Sequence, residues 1–306
     1  MFQRQRIQCS NCNKTFPGDE LVSTCPQCNS RLTIIYDYNI IGEAINKREI
    51  MRRRPGVWKY FELLPVNKKP NIVSLGEGGT FLQKCDGLAK ILGLNNLYVK
   101  NETTNPTGSF IDRGMTVLVS KALETNIKSL SCIPKGNLGA SLAAYAAKSG
   151  LKCKILFLSD VDPNLGKLYQ MIAFNANIHF KRNPKNNQND FHATSSNPFL
   201  TEGEKTIAYE ICEQFYWDPP SRIITPMGSG GLTYMIGKGL QELTQIGFTD
   251  QASSKITGVQ AEGCSPIVEA YKNQRNEIEP FVDPKTFAID IKVTNPPYGK
   301  MALKAI

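Results

Sequence analysis

Four cysteines fall into two pairs, Cys9-Ser-Asn-Cys12 and Cys25-Pro-Gln-Cys28. In each pair a tight turn brings two sulfurs to one side, and two such turns complete a tetrahedral set of thiolates. A closed set of this kind has structural chemistry. It predicts a zinc ion held by Cys9, Cys12, Cys25 and Cys28, with disulfides or a redox dithiol as competing uses of the spacing. About thirty residues bury too little apolar surface to fold alone, so the metal must supply folding energy. The flanking text IQCSNCNKTF and RLTIIYDY alternates as short strands do, which predicts a zinc ribbon over residues 1–36. Cys85, Cys132, Cys153, Cys212 and Cys264 are dispersed and are expected to be ordinary buried or half-buried thiols. The two histidines, His179 and His192, lie in no HExxH pattern and beside no nucleophile elbow, which argues against His-centred hydrolysis.

Three further segments could meet a ligand. Gly228-Ser229-Gly230-Gly231 follows a predicted strand and opens a predicted helix. Glycines let backbone N–H groups approach a phosphate, and a helix N-terminus favours an anion. The spacing is neither the dinucleotide fingerprint nor the P-loop, and a plain tight turn reads the same way. Asn105-Pro106-Thr107-Gly108-Ser109-Phe110-Ile111-Asp112-Arg113-Gly114 joins turn residues to a helix beginning at or just after Ser109. Lys135-Gly136-Asn137 is another strand-to-helix turn, with an Asn able to hydrogen-bond a ligand. Each alone is ordinary loop punctuation.

These turns need elements to hold them. LYVK (97–100), KCKILFL (152–158), NIHF (177–180), SRIITPM (221–227) and KITGVQA (255–261) are expected to be buried strands. Residues 112–124, 139–150, 165–176, 203–215 and 231–243 read as amphipathic helices. The alternation predicts an α/β fold with a mostly parallel sheet covered on both faces. A helix and connecting segment are expected over 37–70, and a polar, Asn-rich surface loop over 182–199. Hydrophobic residues at 41% and charged residues at 21% describe a globular chain and exclude disorder. No apolar run approaches the ~18 residues of a membrane span, and no secretory signal opens the chain, so a cytoplasmic protein without membrane contact is expected. Of the net charge of +9, most lies in residues 1–70, with 12 Lys/Arg against 6 Asp/Glu. A nucleic-acid arm would look similar, but no base-reading pattern accompanies the charge, and a solvated helix face is the expected reading.

Taken in order, the segments are far more specific. SLGEGGT (74–80), LYVKNE (97–102), NPTGSFIDRGMTV (105–117), GASLAAYAAKSGLK (139–152), GEKTIAYEI (203–211), MGSGGL (227–232) and GVQAEG (258–263) resemble threonine synthase, of the pyridoxal-phosphate fold type II class. The resemblance covers essentially the whole chain. It implies two open parallel-sheet domains of the tryptophan-synthase-β-like kind with the cofactor in the cleft. The large cofactor domain would take 71–103 and 186–306, and the small domain 104–185. It implies conversion of O-phosphohomoserine and water to threonine and phosphate, and it suggests a homodimer. By position, Gly228, Ser229, Gly230, Gly231 and Leu232 would hold the cofactor phosphate. Asn137 would hydrogen-bond the ring hydroxyl, and Lys167 would meet the substrate phosphate.

The chain departs from the family at the residue that matters most. The family text GSFKDRG supplies the lysine that binds the cofactor covalently, whereas this chain reads GSFIDRG, with Ile111 at that position. Isoleucine has no nitrogen and cannot titrate, so it can serve neither as covalent anchor nor as base. The family's Ser-Thr-Gly-Asn loop is Pro134-Lys135-Gly136-Asn137, and the Arg that pairs with substrate phosphate is Leu200. The text runs to MALKAI, whereas the family continues into a strand bringing Ser or Thr to the pyridine nitrogen; no such residue can be assigned here. The expectation is a threonine-synthase-like protein that retains a phosphate site and non-covalent pyridoxal phosphate or another small phosphorylated ligand, but has lost normal catalysis. Two alternatives are an active enzyme using another amine such as Lys135, and a zinc-ribbon regulatory or nucleic-acid-binding module.

Overall fold

Alternating apolar residues in QRIQC and LTIIY build the first sheet. In a computed structural model, which describes residues 5–134, 136–158, 165–181, 190–250 and 254–306, strand β1 (Gln5–Cys9) lies between β2 (Thr15–Pro17) and β3 (Leu32–Tyr36), both antiparallel to it. Ile7, Leu32, Ile34 and Tyr36 are buried. The chain divides into two units, Met1–Tyr36 with Arg52–Gly203 and Asp37–Met51 with Glu204–Ile306.

The first unit carries a four-stranded parallel sheet. After β4 (Leu82–Lys84) and β5 (Tyr98–Lys100), the chain runs through α1 (Ile111–Glu124), β6 (Ser129–Cys132), α2 (Asn137–Ser149), β7 (Lys152–Leu158), α3 (Leu165–Ala173), β8 (Asn177–Lys181), β9 (Phe191–His192) and α4 (Pro198–Glu204). The sheet order is β8-β7-β6-β9, and every pairing is parallel. Helix α2 is buried from Leu138 to Ala146 because small and apolar residues occupy nearly every side of it. At its start a Cβ on Gly139 would lie 2.6 Å from Met171 Cε and 2.7 Å from Pro134 Cβ, so α2, α3 and the β6–α2 turn pack without slack.

Two sequence expectations change here. LYVK is not a buried parallel strand: β5 pairs antiparallel with β4, and Val99 is 44% exposed. Strand propensity reports fit to a pleated surface and leaves the partner open. The part of the expected 182–199 loop that lies within the described residues is also structured. Phe191–His192 adds a parallel strand beside β6, and Pro198 opens α4. Asn197 caps α4, accepting from the N–H of Phe199 at 2.9 Å and of Leu200 at 3.4 Å. Residues 182–189 lie outside the described residues.

The second unit contains α5 (Thr206–Gln214), β10 (Arg222–Pro226), α6 (Gly231–Gln245), β11 (Lys255–Val259), α7 (Pro266–Lys272) and α8 (Gly299–Leu303), with β10 and β11 parallel. Both strands were expected to be buried, but Ile224 is 62% and Val259 47% exposed. A small apolar core gathers Met227, Ile267 and Ala302, with Val268, Ile278, Leu303 and Ile306 packed against it. Glu242 is buried and accepts from Lys205 at 3.0 Å, Tyr38 at 2.9 Å and Tyr209. These partners compensate the buried charge. Among the described residues no helix is long and apolar enough to cross a membrane.

Glu204 is buried as well, and burial pushes its carboxyl up to about 8 from an ordinary 4.5. The folded chain therefore holds this proton more tightly than the unfolded chain. Glu204 leaves stability untouched below about pH 4.5, lowers it as pH climbs to about 8, and has no further effect above. Glu204→Gln should remove that slope. Thermal melts from pH 4 to 9 should show the variant gaining on the parent across this window, by up to roughly 5 kcal/mol. A parallel pair of curves would refute the assignment.

Candidate functional site

The four ribbon cysteines converge. Their sulfurs all lie within 4.8 Å of one another, with Cys9 Sγ to Cys28 Sγ at 3.4 Å and Cys12 Sγ to Cys25 Sγ at 3.7 Å. Thiolates around a tetrahedral zinc stand about 3.8 Å apart, so the cluster matches such an ion in donor type and size. The two knuckles are built alike. Asn13 and Asn29 follow the second cysteine of each pair at φ 57° and 54°, and their N–H groups close the turns on Cys9 O at 3.2 Å and Cys25 O at 2.9 Å. The Cys28 thiol is pushed down to about 6, chiefly by the Ser30 hydroxyl and backbone N–H and then by Cys9. At Cys12 the Lys14 backbone N–H pulls the thiol down, but neighbouring thiols and burial outweigh it and carry the value up to about 11. Four crowded thiols cannot all ionise without a cation among them.

In the same unit, the Asn105–Gly114 turn is held by buried polar contacts. Asp112 accepts from the Thr107 N–H at 2.7 Å, the Thr107 hydroxyl at 2.8 Å and the Ser141 hydroxyl at 2.6 Å. Burial still raises its carboxyl above the ordinary range, against the pull of these donors. Arg113 is fully buried and donates twice to Glu102, at 2.7 Å from both Nε and Nη2, and to Thr80 at 3.0 Å. Glu77 accepts from the Tyr145 hydroxyl at 2.7 Å, tying the 74–80 loop to α2. From sequence, Thr107, Asp112 and Arg113 are members of one turn-to-helix motif, with no partners assigned to them. The signal in the sequence for the whole set is that its members lie in the family-like segments 74–80, 97–102, 105–117 and 139–152.

Ile111 is the first residue of α1 and is half-buried. Lys167, on α3, donates to Thr107 O at 2.9 Å, and its Cγ stands 3.9 Å from where a Cβ on Gly136 would be. Asn137 begins α2 directly after Gly136. The fold therefore brings Lys167, Thr107 and the Gly136–Asn137 turn together. Leu200 is fully buried on α4, with its backbone against Gly114. Pro134 packs beside Gly139, and Lys135 lies outside the described residues.

The glycine loop belongs to the second unit. It joins β10 to α6, with Gly230 left-handed at φ 82° as the cap of α6. A Cβ on Gly230 would lie 3.0 Å from Tyr298 O and Ala302 Cβ, so this glycine serves packing as well as conformation. Ser229 O accepts from the Tyr298 N–H at 2.9 Å, and the Ser229 hydroxyl accepts from the Gly231 N–H at 3.3 Å. Among the described residues the N–H groups of Leu232 and Thr233 have no acceptor. These free donors at the start of a fifteen-residue helix suit an anion.

Residues 73–306 match the family described as pyridoxal-phosphate dependent enzyme. The threonine synthase of Methanocaldococcus jannaschii is 43% identical, over 100% of this chain and 76% of that protein. The chain belongs to the threonine synthase family of pyridoxal-phosphate-dependent enzymes. The threonine synthase of Methanosarcina acetivorans is 40% identical, over 98% of this chain and 75% of that protein. Among solved structures, an L-serine ammonia-lyase from Rhizomucor miehei is similar at a TM-score of 0.62 and 20% identity, covering 73% of this chain and 72% of that one. A threonine deaminase isoform from Solanum lycopersicum is similar at 0.60 and 19%, covering 74% and 62%. At these identities the structures establish the shared fold type II architecture expected from the sequence.

The four-sulfur cluster of this threonine synthase relative should take up a thiophilic ion. Cobalt(II) added to reduced, metal-free protein should saturate at one ion per chain, with the intense visible bands of tetrahedral thiolate coordination. Cys9→Ser or Cys25→Ser should abolish those bands. Weak, unsaturable colour in the parent protein would exclude a formed site.

Proposed function

We propose that this chain is a threonine-synthase-like protein that keeps the family scaffold and a phosphate-holding loop but not normal turnover. Ile111 carries the proposal. At the first residue of α1 stands an aliphatic side chain that can neither bond to an aldehyde nor carry a proton. Two further residues support it. Leu200 offers no charge to a substrate phosphate, and Pro134 offers no hydroxyl to a carboxylate.

The residues present fit the cofactor in part. The free amides at Leu232 and Thr233, with the Gly228–Gly231 turn before them, suit the phosphate of pyridoxal phosphate. Lys167, already oriented by Thr107 O, is the cation for a second, substrate-borne phosphate. When bound through an amine, pyridoxal phosphate supplies an electron sink for carbanions. This chain's own contribution is to bind and orient, with no amine at position 111. Zinc is the metal that the four thiolates favour, in a structural role.

Purified protein mixed with pyridoxal phosphate should bind it reversibly. It should lack the absorbance of a lysine-bound cofactor and leave no chain-linked adduct after borohydride reduction and mass analysis. Threonine formation from O-phosphohomoserine should run at least about 1,000-fold slower than with the Methanocaldococcus jannaschii enzyme assayed alongside. Ile111→Lys should restore a reducible adduct at position 111. A reducible adduct on the parent chain, or threonine at family rates, would overturn the proposal.

A further inference from the structure

The ribbon is fastened to two helices of the first unit by buried polar groups. Lys121 on α1 is fully buried, donates to Gly18 O of the ribbon at 3.0 Å and to Glu124 at 2.9 Å, and lies 5.4 Å over the Phe199 ring of α4. Tyr36, the last residue of β3, donates its hydroxyl to Glu202 of α4 at 2.7 Å, and Glu202 is fully buried. Asn197, the cap of α4, donates to the Ser23 hydroxyl of the ribbon at 3.2 Å. Each of these three links reaches α1 or α4.

Those two helices touch through bare backbone. A Cβ on Gly114 would overlap the Leu200 carbonyl, and a Cβ on Gly203 would overlap the Arg113 carbonyl. Arg113 and Gly114 belong to the first turn of α1, directly after Ile111 and Asp112, and Asp112 holds Thr107 in the preceding loop. Helix α4 has seven residues, too few to stand without tertiary support. Backbone seams of this kind do not deform gradually, so a shift of α4 displaces the start of α1.

We propose that the ribbon is a clamp: filling its four-cysteine site fixes the α1–α4 crossing and so orders the Asn105–Gly114 turn. The proposal rests on reading Cys9, Cys12, Cys25 and Cys28 as a metal site, and extends it to the segment that holds Ile111. Without its ion a ribbon of this size does not stay folded, and Lys121, Glu202 and Asn197 then lose their ribbon partners together.

Hydrogen exchange of the full chain, followed by mass spectrometry of peptides covering 105–114 and β7, tests the clamp. Chelation should speed exchange in 105–114 at least tenfold while β7 stays protected, and one equivalent of zinc should reverse it. Protection of 105–114 that survives loss of ribbon protection would overturn the proposal. The Tyr36→Phe, Lys121→Met double variant decides the case in which chelation unfolds the whole chain. With cobalt bands intact, it should still exchange faster in 105–114, and unchanged exchange there would refute the clamp. A flat cobalt titration of the parent chain would instead overturn the metal reading, and with it the ion's role in the clamp.

Discussion

The buried pair of Arg113 and Glu102 is the constraint on which the first unit is built. A guanidinium with no exposure can persist only if its donors are met, and Glu102 meets two of them while Thr80 takes a third contact. Glu102 in turn accepts from the Asn105 amide at 2.9 Å and the Thr80 hydroxyl at 2.7 Å. One ion pair therefore fixes the 74–80 loop, the 102–105 turn and the start of α1 together. Removing one partner of such a pair costs on the order of 3–5 kcal/mol, because the other charge remains buried.

That scaffold makes no demand on the chemistry of residue 111. The groups that hold the turn are Asp112, Arg113, Thr107 and Ser141, and each acts through contacts that Ile111 does not share. The fold around this turn therefore does not depend on which side chain stands at position 111. The same separation holds in the second unit, where Gly230 and Ser229 are bound to Tyr298 by packing and a backbone hydrogen bond.

Much of this was legible in the sequence, for physical reasons. Paired CxxC knuckles have few other uses, and a strand, a glycine turn and a helix in succession identify the β10–α6 loop. Helix α4 and strand β9 were hidden by composition. RNPKNNQNDFHATSSNPF reads as loop, although Asn197-Pro198 within it is a good helix start. The partner of LYVK was beyond local propensity, and so was the exposure of β10 and β11. Least legible were Arg113, Lys121 and Lys205, cations inside the protein, because periodicity assigns charge to the surface and only the tertiary partner reverses that.

The seam at Gly114 and Gly203 bears on how such chains change over time. Only hydrogen fits at either position, since any larger group would strike the opposite main chain. Folding alone therefore requires glycine at both positions, whatever the chain's chemistry. In this scaffold glycine at 114 and 203 is a mechanical necessity, whereas Ile111, the residue directly before Asp112, takes no part in the seam.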